Sequence, residues 1–475
     1  MLNPELYGIW IGLNILLAYS GFANLGLEYV FAIRYPYYQG KHDQEKCSSI
    51  ADTVYFVWTL ATALLILGLT AYFIFFPPAS NLLLWGLISI GIIIFFEQQN
   101  TFFNRWITAG EKNFSFPSYI SILRNTCSFV IIVPLVFYFS TEGLMVGSAI
   151  VSSIVFFIWI STTSFKFGWT PSFSTLKEMM IIGAPNFLIS IVNTLVKSMD
   201  RLLIVMFLGA VSLGYYSIVA MGGGFLYMLL AQAGGVLVPH MVEEAGKNDD
   251  SSQSLEKYLI RPTLIFSYAS AIFLVFVCFF IPLAINLILP QYIPGLDAFY
   301  VFLPGFFFLS IILSANNILY LVLIPRGKQR YILYLQLVSA VIQIGLSFLF
   351  IHFKWDIIGV ALATTLASAF WGSSILALTV KYIISEWSRR IKFFRDVFRP
   401  FIYVLACMSV IYFLHKNIAV SSLVQTTIDL FLFAFTVSPL MYAMEKNTQI
   451  ISLIAPILAS FKMLFNNKRY ESHAG

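Results

Sequence analysis

Long apolar runs, separated by short polar clusters, dominate this chain. About thirteen of them reach the ~20 residues that a helix needs to cross a bilayer. They cover 7–33, 52–76, 82–106, 117–139, 143–163, 179–207, 212–239, 262–289, 298–325, 331–352, 357–383, 398–414 and 422–444. The runs are continuous, without the short alternating segments of a membrane β-barrel. The pattern therefore predicts an all-α polytopic membrane protein. Pro134 and Pro185 fall inside helical runs, where each predicts a kink. Gly222-Gly223-Gly224 and Gly234-Gly235 loosen the run 212–239, and close helix packing accounts for the pairs better than hinging does.

Composition fixes the solvent. The chain is 59% hydrophobic and 11% charged, with a mean hydropathy of +0.85. A soluble domain carries about 25% charge. The start of the chain has no cleavable signal pattern, and no stretch reads as a soluble domain. Of the 28 Lys and Arg residues, 23 fall in alternate loops, their flanking turns and the C-terminal tail. Only Lys354 and Lys416 fall on the other side, and the remaining 3 lie inside helices. By the positive-inside rule the basic loops and the tail are expected in the cytoplasm. The net charge of +6 then needs no nucleic acid as partner.

The loops on the other side, FFPPASN at 75–81, STEG at 140–143 and LPQYIPGLD at 289–297, have no room for a catalytic domain. Cys47, Cys127, Cys278 and Cys407 show no paired spacing, and the five histidines form no ligand pair. IPRGKQR lacks the glycine spacing of a P-loop and reads as a basic turn. A non-enzyme without metal or cofactor is expected.

Two segments share an order of features. LNPELYG at 2–8 and LGAVSLGYY at 208–216 both read as loops before a helix. Further on, GKHD begins at Gly40 and GKND at Gly246, each followed by a Glu-Lys pair. The offset is about 206 residues, and such a repeat is a common construction in transporters.

Polar groups within the runs are the candidate chemistry, since ionisable residues in a bilayer line a pathway or pair with each other. In 179–207, Asn186, Ser190, Asn193, Lys197 and Asp200 follow steps of three and four, and Arg201 lies one turn after Lys197. A Lys197–Asp200 pair would leave Arg201 with free positive charge. The stripe reads as a cavity wall that attracts an anion, or else as an inter-helix seam. Glu97, Gln98, Thr101, Asn104 and Arg105 cluster near the end of 82–106, where Arg105 can snorkel to the surface. Arg124 lies about two turns into 117–139, on a face with Ser121 and Ser128, and is a pathway candidate. Gln336, Ser339, Gln343 and Ser347 repeat at helical spacing and suit sugar recognition and helix packing equally well.

These residues resemble a family. LNPELYGIW and NLGLEYVFAIRYPYYQGKHDQEK at 24–46 look like the start of bacterial polysaccharide-unit flippases of the Wzx type. Those serve O-antigen or capsule assembly and share a superfamily with MATE drug exporters and the lipid II flippase. In the second half Pro185, Asp200-Arg201, Leu208-Gly209 and Leu213-Gly214-Tyr215-Tyr216-Ser217 also fit.

The resemblance implies about fourteen helices in two pseudo-symmetric lobes around a central cavity, here 1–165 and 166–385. Two further helices would lie in 386–445 and a cytoplasmic tail in 446–475. The family's first helix would precede Met1, so it is expected to be missing here through a late start. The implied substrate is an oligosaccharide on undecaprenyl pyrophosphate, flipped to the outer leaflet of the inner membrane by alternating access. The remaining expected partners are membrane lipids, H+ or Na+ as coupling ion, and other polysaccharide-assembly proteins. Arg124, Lys197 and Arg201 would converge on the cavity. A drug exporter would want acidic residues there, and a glycan polymerase or ligase would want a sizeable external loop. A scaffold subunit is a further alternative.

Overall fold

The computed structural model describes residues 3–222 apart from 79, 114, 166–167 and 169, then 224, 252–323, 330–417 and 422–449. Among the described residues the chain is helical throughout, without strands. It is an all-α polytopic membrane protein. Among the described residues eight helices are long and apolar enough to cross a membrane, or nine if the bent helix Phe173–Phe207 counts as one span. Contacts divide the chain into two compact units, Met1–Ser217 and Ile218–Gly475. This division follows packing, whereas the expected lobes follow the repeat.

The first unit begins with α1, Pro4–Ser20, and α2, Leu27–Gly40. Within LNPELYG, expected as a loop, Pro4 to Gly8 already belong to α1. Asn3 caps it by accepting from the backbone N–H of Glu5 at 3.2 Å, and Pro4 takes the first turn, where its missing N–H costs nothing. The run 7–33, expected as one helix, breaks at Leu25 (φ 50°) and Gly26 (φ 78°). Asn24 holds the break by accepting from the N–H of Gly26 at 2.8 Å. A Cβ at Gly26 would lie 2.9 Å from the carbonyl oxygen of Gly183, so glycine serves both the left-handed backbone and the close approach.

Next come α3, Gln44–Phe75, and α4, Asn81–Arg105, which is extended by a π turn over Trp106–Gly110. Then follow α5, Ser115–Cys127, a π turn over Ser128–Ile132, and α6, Val133–Thr162. Pro134, which lacks a donor, follows this π turn, where the regular ladder is interrupted. Ser115–Thr162 is apolar over 48 residues. A straight helix of that length would be about 72 Å long, against a hydrocarbon core of ~30 Å. Ser140 (φ 55°, ψ −129°) breaks it. A Cβ at Gly143 would fall 2.0 Å from the Leu135 carbonyl oxygen, so the chain doubles back there as a hairpin.

α7, Phe173–Phe207, bends by 50° between Ala184 and Phe187, at the expected Pro185. α8 is Gly209–Gly222 and takes in most of LGAVSLGYY, the second expected loop. The two matched segments meet. A Cβ at Gly8 would lie 1.8 Å from the carbonyl oxygen of Ala210, and one at Gly214 would lie 1.9 Å from that of Pro4. A shift of 206 residues carries Gly8 to Gly214 and Pro4 to Ala210. Each contact thus becomes the other, as equivalent elements pack about a two-fold axis.

The core of this unit is aromatic at one end. Phe31, Tyr55, Trp58, Phe102, Phe103, Trp159 and Phe165 are buried together, with Trp106 at 4.7 Å from Phe165 between ring centres. A second, aliphatic cluster joins Leu13, Ile90, Ile94 and Met145.

The second unit contains α9, Ser252–Ile288, α10, Leu296–Leu323, α11, Arg330–His352, and α12, Asp356–Ile383. It ends with α13, Trp387–Asn417, and α14, Ser422–Thr448. Its core packs α10 against α12 and α9, with Phe299, Phe306, Phe307, Val360 and Ile375 fully buried. Phe307 stacks on Phe401 of α13 at 4.4 Å. Gly223, Gly234-Gly235, Lys247 and the tail beyond 449 lie outside the described residues.

A carboxylate fixes the exit from α6. Glu111 accepts at one oxygen from the Ser164 hydroxyl (2.7 Å), the Ser164 N–H (3.0 Å) and the Trp106 indole (3.0 Å). Burial pushes its pKa up, but the hydrogen bonds from Ser164, Trp106 and Thr163 outweigh this and hold it below the ordinary carboxylate value. A lowered folded-state value means stability that is present above the unfolded value and lost as pH falls through the folded one. Melting curves in detergent should therefore show a loss of stability below about pH 4 that Glu111→Gln makes smaller. Equal acid sensitivity in both proteins would remove this role.

Candidate functional site

The polar cluster near the end of α4 reads Glu97-Gln98-Gln99-Asn100. Four consecutive polar side chains around a helix must point to different neighbours. Glu97 faces α5 and α6. Arg124 donates through both terminal nitrogens to its carboxylate, with Nη1 to Oε2 at 2.9 Å. Ser152 of α6 adds a hydroxyl at 2.6 Å. The Glu97 side chain is 17% exposed and that of Arg124 is 40% exposed. The carboxylate is thus the more enclosed member of a two-pronged, charge-assisted pair.

Gln98 turns the other way and links three helices. It accepts from the Trp58 indole at 2.8 Å and donates to Ser20 at 3.1 Å. It is buried and fully engaged, which makes it a strut between α1, α3 and α4. Gln99 donates to Thr59 at 3.2 Å, and Asn100 donates to the Ser152 carbonyl at 3.2 Å. The carbonyl oxygens of Gln99 and Asn100 are buried with no protein donor. Such acceptors are ordinarily satisfied by water.

Arg105 does not merely snorkel. Its Nε donates to Glu28 at 2.6 Å, and Asn24 donates to the other Glu28 oxygen at 3.2 Å. Glu28 lies in the first turn of α2, just past the helix break. The pair therefore ties the end of α4 to that break. The sequence reading passed over Glu28, although it is an ionisable residue within the run 7–33, the same signal that singled out Glu97.

On α7 Arg201 is engaged rather than free. Arg201, expected to carry free charge, has its guanidinium 3.8 Å from Asp200 and donates to the Lys197 carbonyl at 2.7 Å. Tyr216 of α8 donates to the other Asp200 oxygen at 2.9 Å. The reason is local. A neighbouring arginine can fold back along its own helix, and Tyr216 lies one short turn away in the chain. Lys197 is exposed and Asn193 half-buried on the same helix. The side chain of Asn186 lies outside the described residues. Ser198 meets Tyr19 of α1 at 3.0 Å.

Of the three cations expected to converge, Arg124 pairs with α4 and lies beside Ser152 of α6, while Arg201 lies with Asp200 and Tyr216 of α8. Gln343 lies in the second unit, buried against α12, and donates to Thr364 at 3.3 Å. Ser339 donates to the Ala367 carbonyl at 3.0 Å. This stripe is a seam between α11 and α12. Among the described residues no group of His, Cys, Asp or Glu is arranged to hold a metal ion.

The arrangement places opposite charges and hydroxyls within helices that are otherwise apolar. Such clusters can hold a charged group in the bilayer or change partners with it. No curated protein sequence matches the chain. The family model described as polysaccharide biosynthesis protein matches residues 42–292, which include α3 to α9 and the Glu97–Arg124–Ser152 and Asp200–Arg201–Tyr216 clusters. That match spans more than half of the 475 residues, and the chain belongs to the polysaccharide biosynthesis protein family.

Proposed function

We propose that this protein is a flippase rather than an enzyme. It moves an undecaprenyl-pyrophosphate-linked oligosaccharide from the cytoplasmic to the outer leaflet of the inner membrane, with its basic loops and C-terminus in the cytoplasm. The observation that carries this reading is the Glu97–Arg124–Ser152 cluster, set in apolar helices of a polysaccharide biosynthesis protein. Membrane-embedded charge is costly and is kept where a path or a switch needs it. A sugar head group and pyrophosphate are too polar to enter hydrocarbon unaided. Arg124 can offer its guanidinium to a phosphate in exchange for Glu97, since the two acceptors have matching two-pronged geometry. Glu97 would then rely on Ser152 and on a coupling cation, H+ or Na+. Alternating access by rocking of the two lobes completes the cycle.

The test is transport itself. Purified protein in proteoliposomes with lipid-linked oligosaccharide on one side should expose the sugar to a lectin on the other. The rate should exceed that of protein-free vesicles by at least an order of magnitude. Sugar exposure no faster than in empty vesicles, in protein shown to be folded, would reject the flippase reading. Release of free or polymerised glycan would instead favour a polymerase or ligase.

A further inference from the structure

The densest positive charge of the described chain lies where α12 gives way to α13: Lys381, Arg389, Arg390, Lys392, Arg395 and Arg399. The structure divides these cations by use. Arg390 caps α12, donating to the carbonyl oxygens of Ile384 at 2.6 Å and Lys381 at 3.1 Å. Arg389 pairs with Glu256 of α9. Both hold the second unit together.

Lys392, Arg395 and Arg399 do something else. All three are exposed, the Arg395 side chain at 71%. Steps of three and four put them on one side of α13, over about 10 Å of its length. Asp396, 3.7 Å from Arg395, offsets only part of this charge. The opposite side of α13 is the packed one, with Phe393, Val397, Phe401 and Val404 buried.

The outward side changes character along the helix. Beyond Arg399 it carries Ile402 (63% exposed) and Leu405. Bare aliphatic side chains on the outside of a membrane protein meet acyl chains. The last of the three cations, Arg399, lies less than one turn earlier, which sets the group at the level of the headgroups. Trp387 and Ile391, exposed on the preceding turns, are interfacial in kind.

We propose that this face of α13 docks anionic phospholipid headgroups. A phosphodiester with net negative charge can bridge neighbouring guanidinium and ammonium groups. A zwitterionic headgroup brings its own ammonium and competes with them. The site is independent of the transport reading and concerns the lipid that surrounds the protein.

The full chain, in nanodiscs of equal parts phosphatidylglycerol and phosphatidylcholine, should retain phosphatidylglycerol preferentially when released into native mass spectrometry. Each cation at an anionic surface is worth about fivefold in partition. The triple variant Lys392→Gln, Arg395→Gln, Arg399→Gln should therefore reduce phosphatidylglycerol retention by at least about fivefold. The charge-keeping variant Lys392→Arg, Arg395→Lys, Arg399→Lys should retain it. Raising salt to about 1 M should weaken retention by the wild type. The positions are exposed, so melting temperature should be unchanged in both variants. Equal retention of the two lipids by the wild type, or undiminished phosphatidylglycerol on the glutamine variant, would overturn the proposal. So would unchanged lipid with loss of a co-purifying acidic protein, which would identify the face as a protein contact.

Discussion

Replacing Arg124 with alanine is expected to slow transport by at least about tenfold and to destabilise the first unit by about 2 kcal/mol. The enclosed Glu97 carboxylate would keep only Ser152 as a donor. Breaking a fully buried ion pair costs ~3–5 kcal/mol. The Arg124 side chain is 40% exposed, so the figure is reduced for screening. Glu97→Gln removes the charge but keeps the shape and one acceptor, and should cost less stability. The double variant Glu97→Gln, Arg124→Gln leaves no unpaired charge. Its destabilisation should fall short of the sum of the single changes by about 1–2 kcal/mol. Thermal unfolding in detergent measures the first quantity and proteoliposome transport the second. Strict additivity in unfolding would show that the two groups do not act as a pair. Stability loss with full transport in the surviving protein would make the pair purely structural.

Gly8→Val and Gly214→Val are expected to abolish most folded protein, at a cost of about 3 kcal/mol or more each. The added Cβ would meet backbone carbonyl oxygens at 1.8 and 1.9 Å, and backbone in a helix cannot swing aside as a long side chain can. α1 and α8 would have to separate, and with them the contact between the two matched segments. Gly21→Ala and Gly40→Ala provide the control, because nothing lies within 4 Å of a Cβ at either place. These should express and melt like the wild type. Monodisperse yield in size-exclusion chromatography and melting temperature give the readout. Normal yield of Gly214→Val would mean that α1 and α8 do not pack this way in the membrane.

Helices and solvent were legible because both are summed over many residues. An apolar run of twenty positions tolerates several misread ones, and Pro134 and Pro185 disturb a helix through their own covalent structure. The repeat was legible as order and spacing, although its two loops proved to be helix starts. The Asn-Pro signal at positions 3 and 4 for that start was present and was passed over.

The site was only half legible. An ionisable residue in an apolar run announces itself by its cost, which singled out Glu97, Arg124, Asp200 and Arg201. What each one meets is a matter of packing. Arg124 takes Glu97 27 positions earlier, Arg105 takes Glu28 77 positions earlier, and Ser152 arrives from another helix altogether. Spacing pointed only to Lys197 as a neighbour of Asp200, whereas folding also brings Arg201 and Tyr216 to that carboxylate. Gln343 shows the converse. Its spacing was compatible with a cavity wall or a seam, and burial against α12 made it part of a seam.

The sequence by itself therefore determined the membrane as solvent, the all-helical class and the identity of the costly charges. Each of these depends on local composition or on the covalent chain. Tertiary structure alone decided the break at Leu25-Gly26 against Gly183, the meeting of Gly8 with Ala210, and the pairing of Glu97 with Arg124 and Ser152 and of Glu28 with Arg105. Those depend on distances between elements far apart in the chain, which one-dimensional periodicity does not encode.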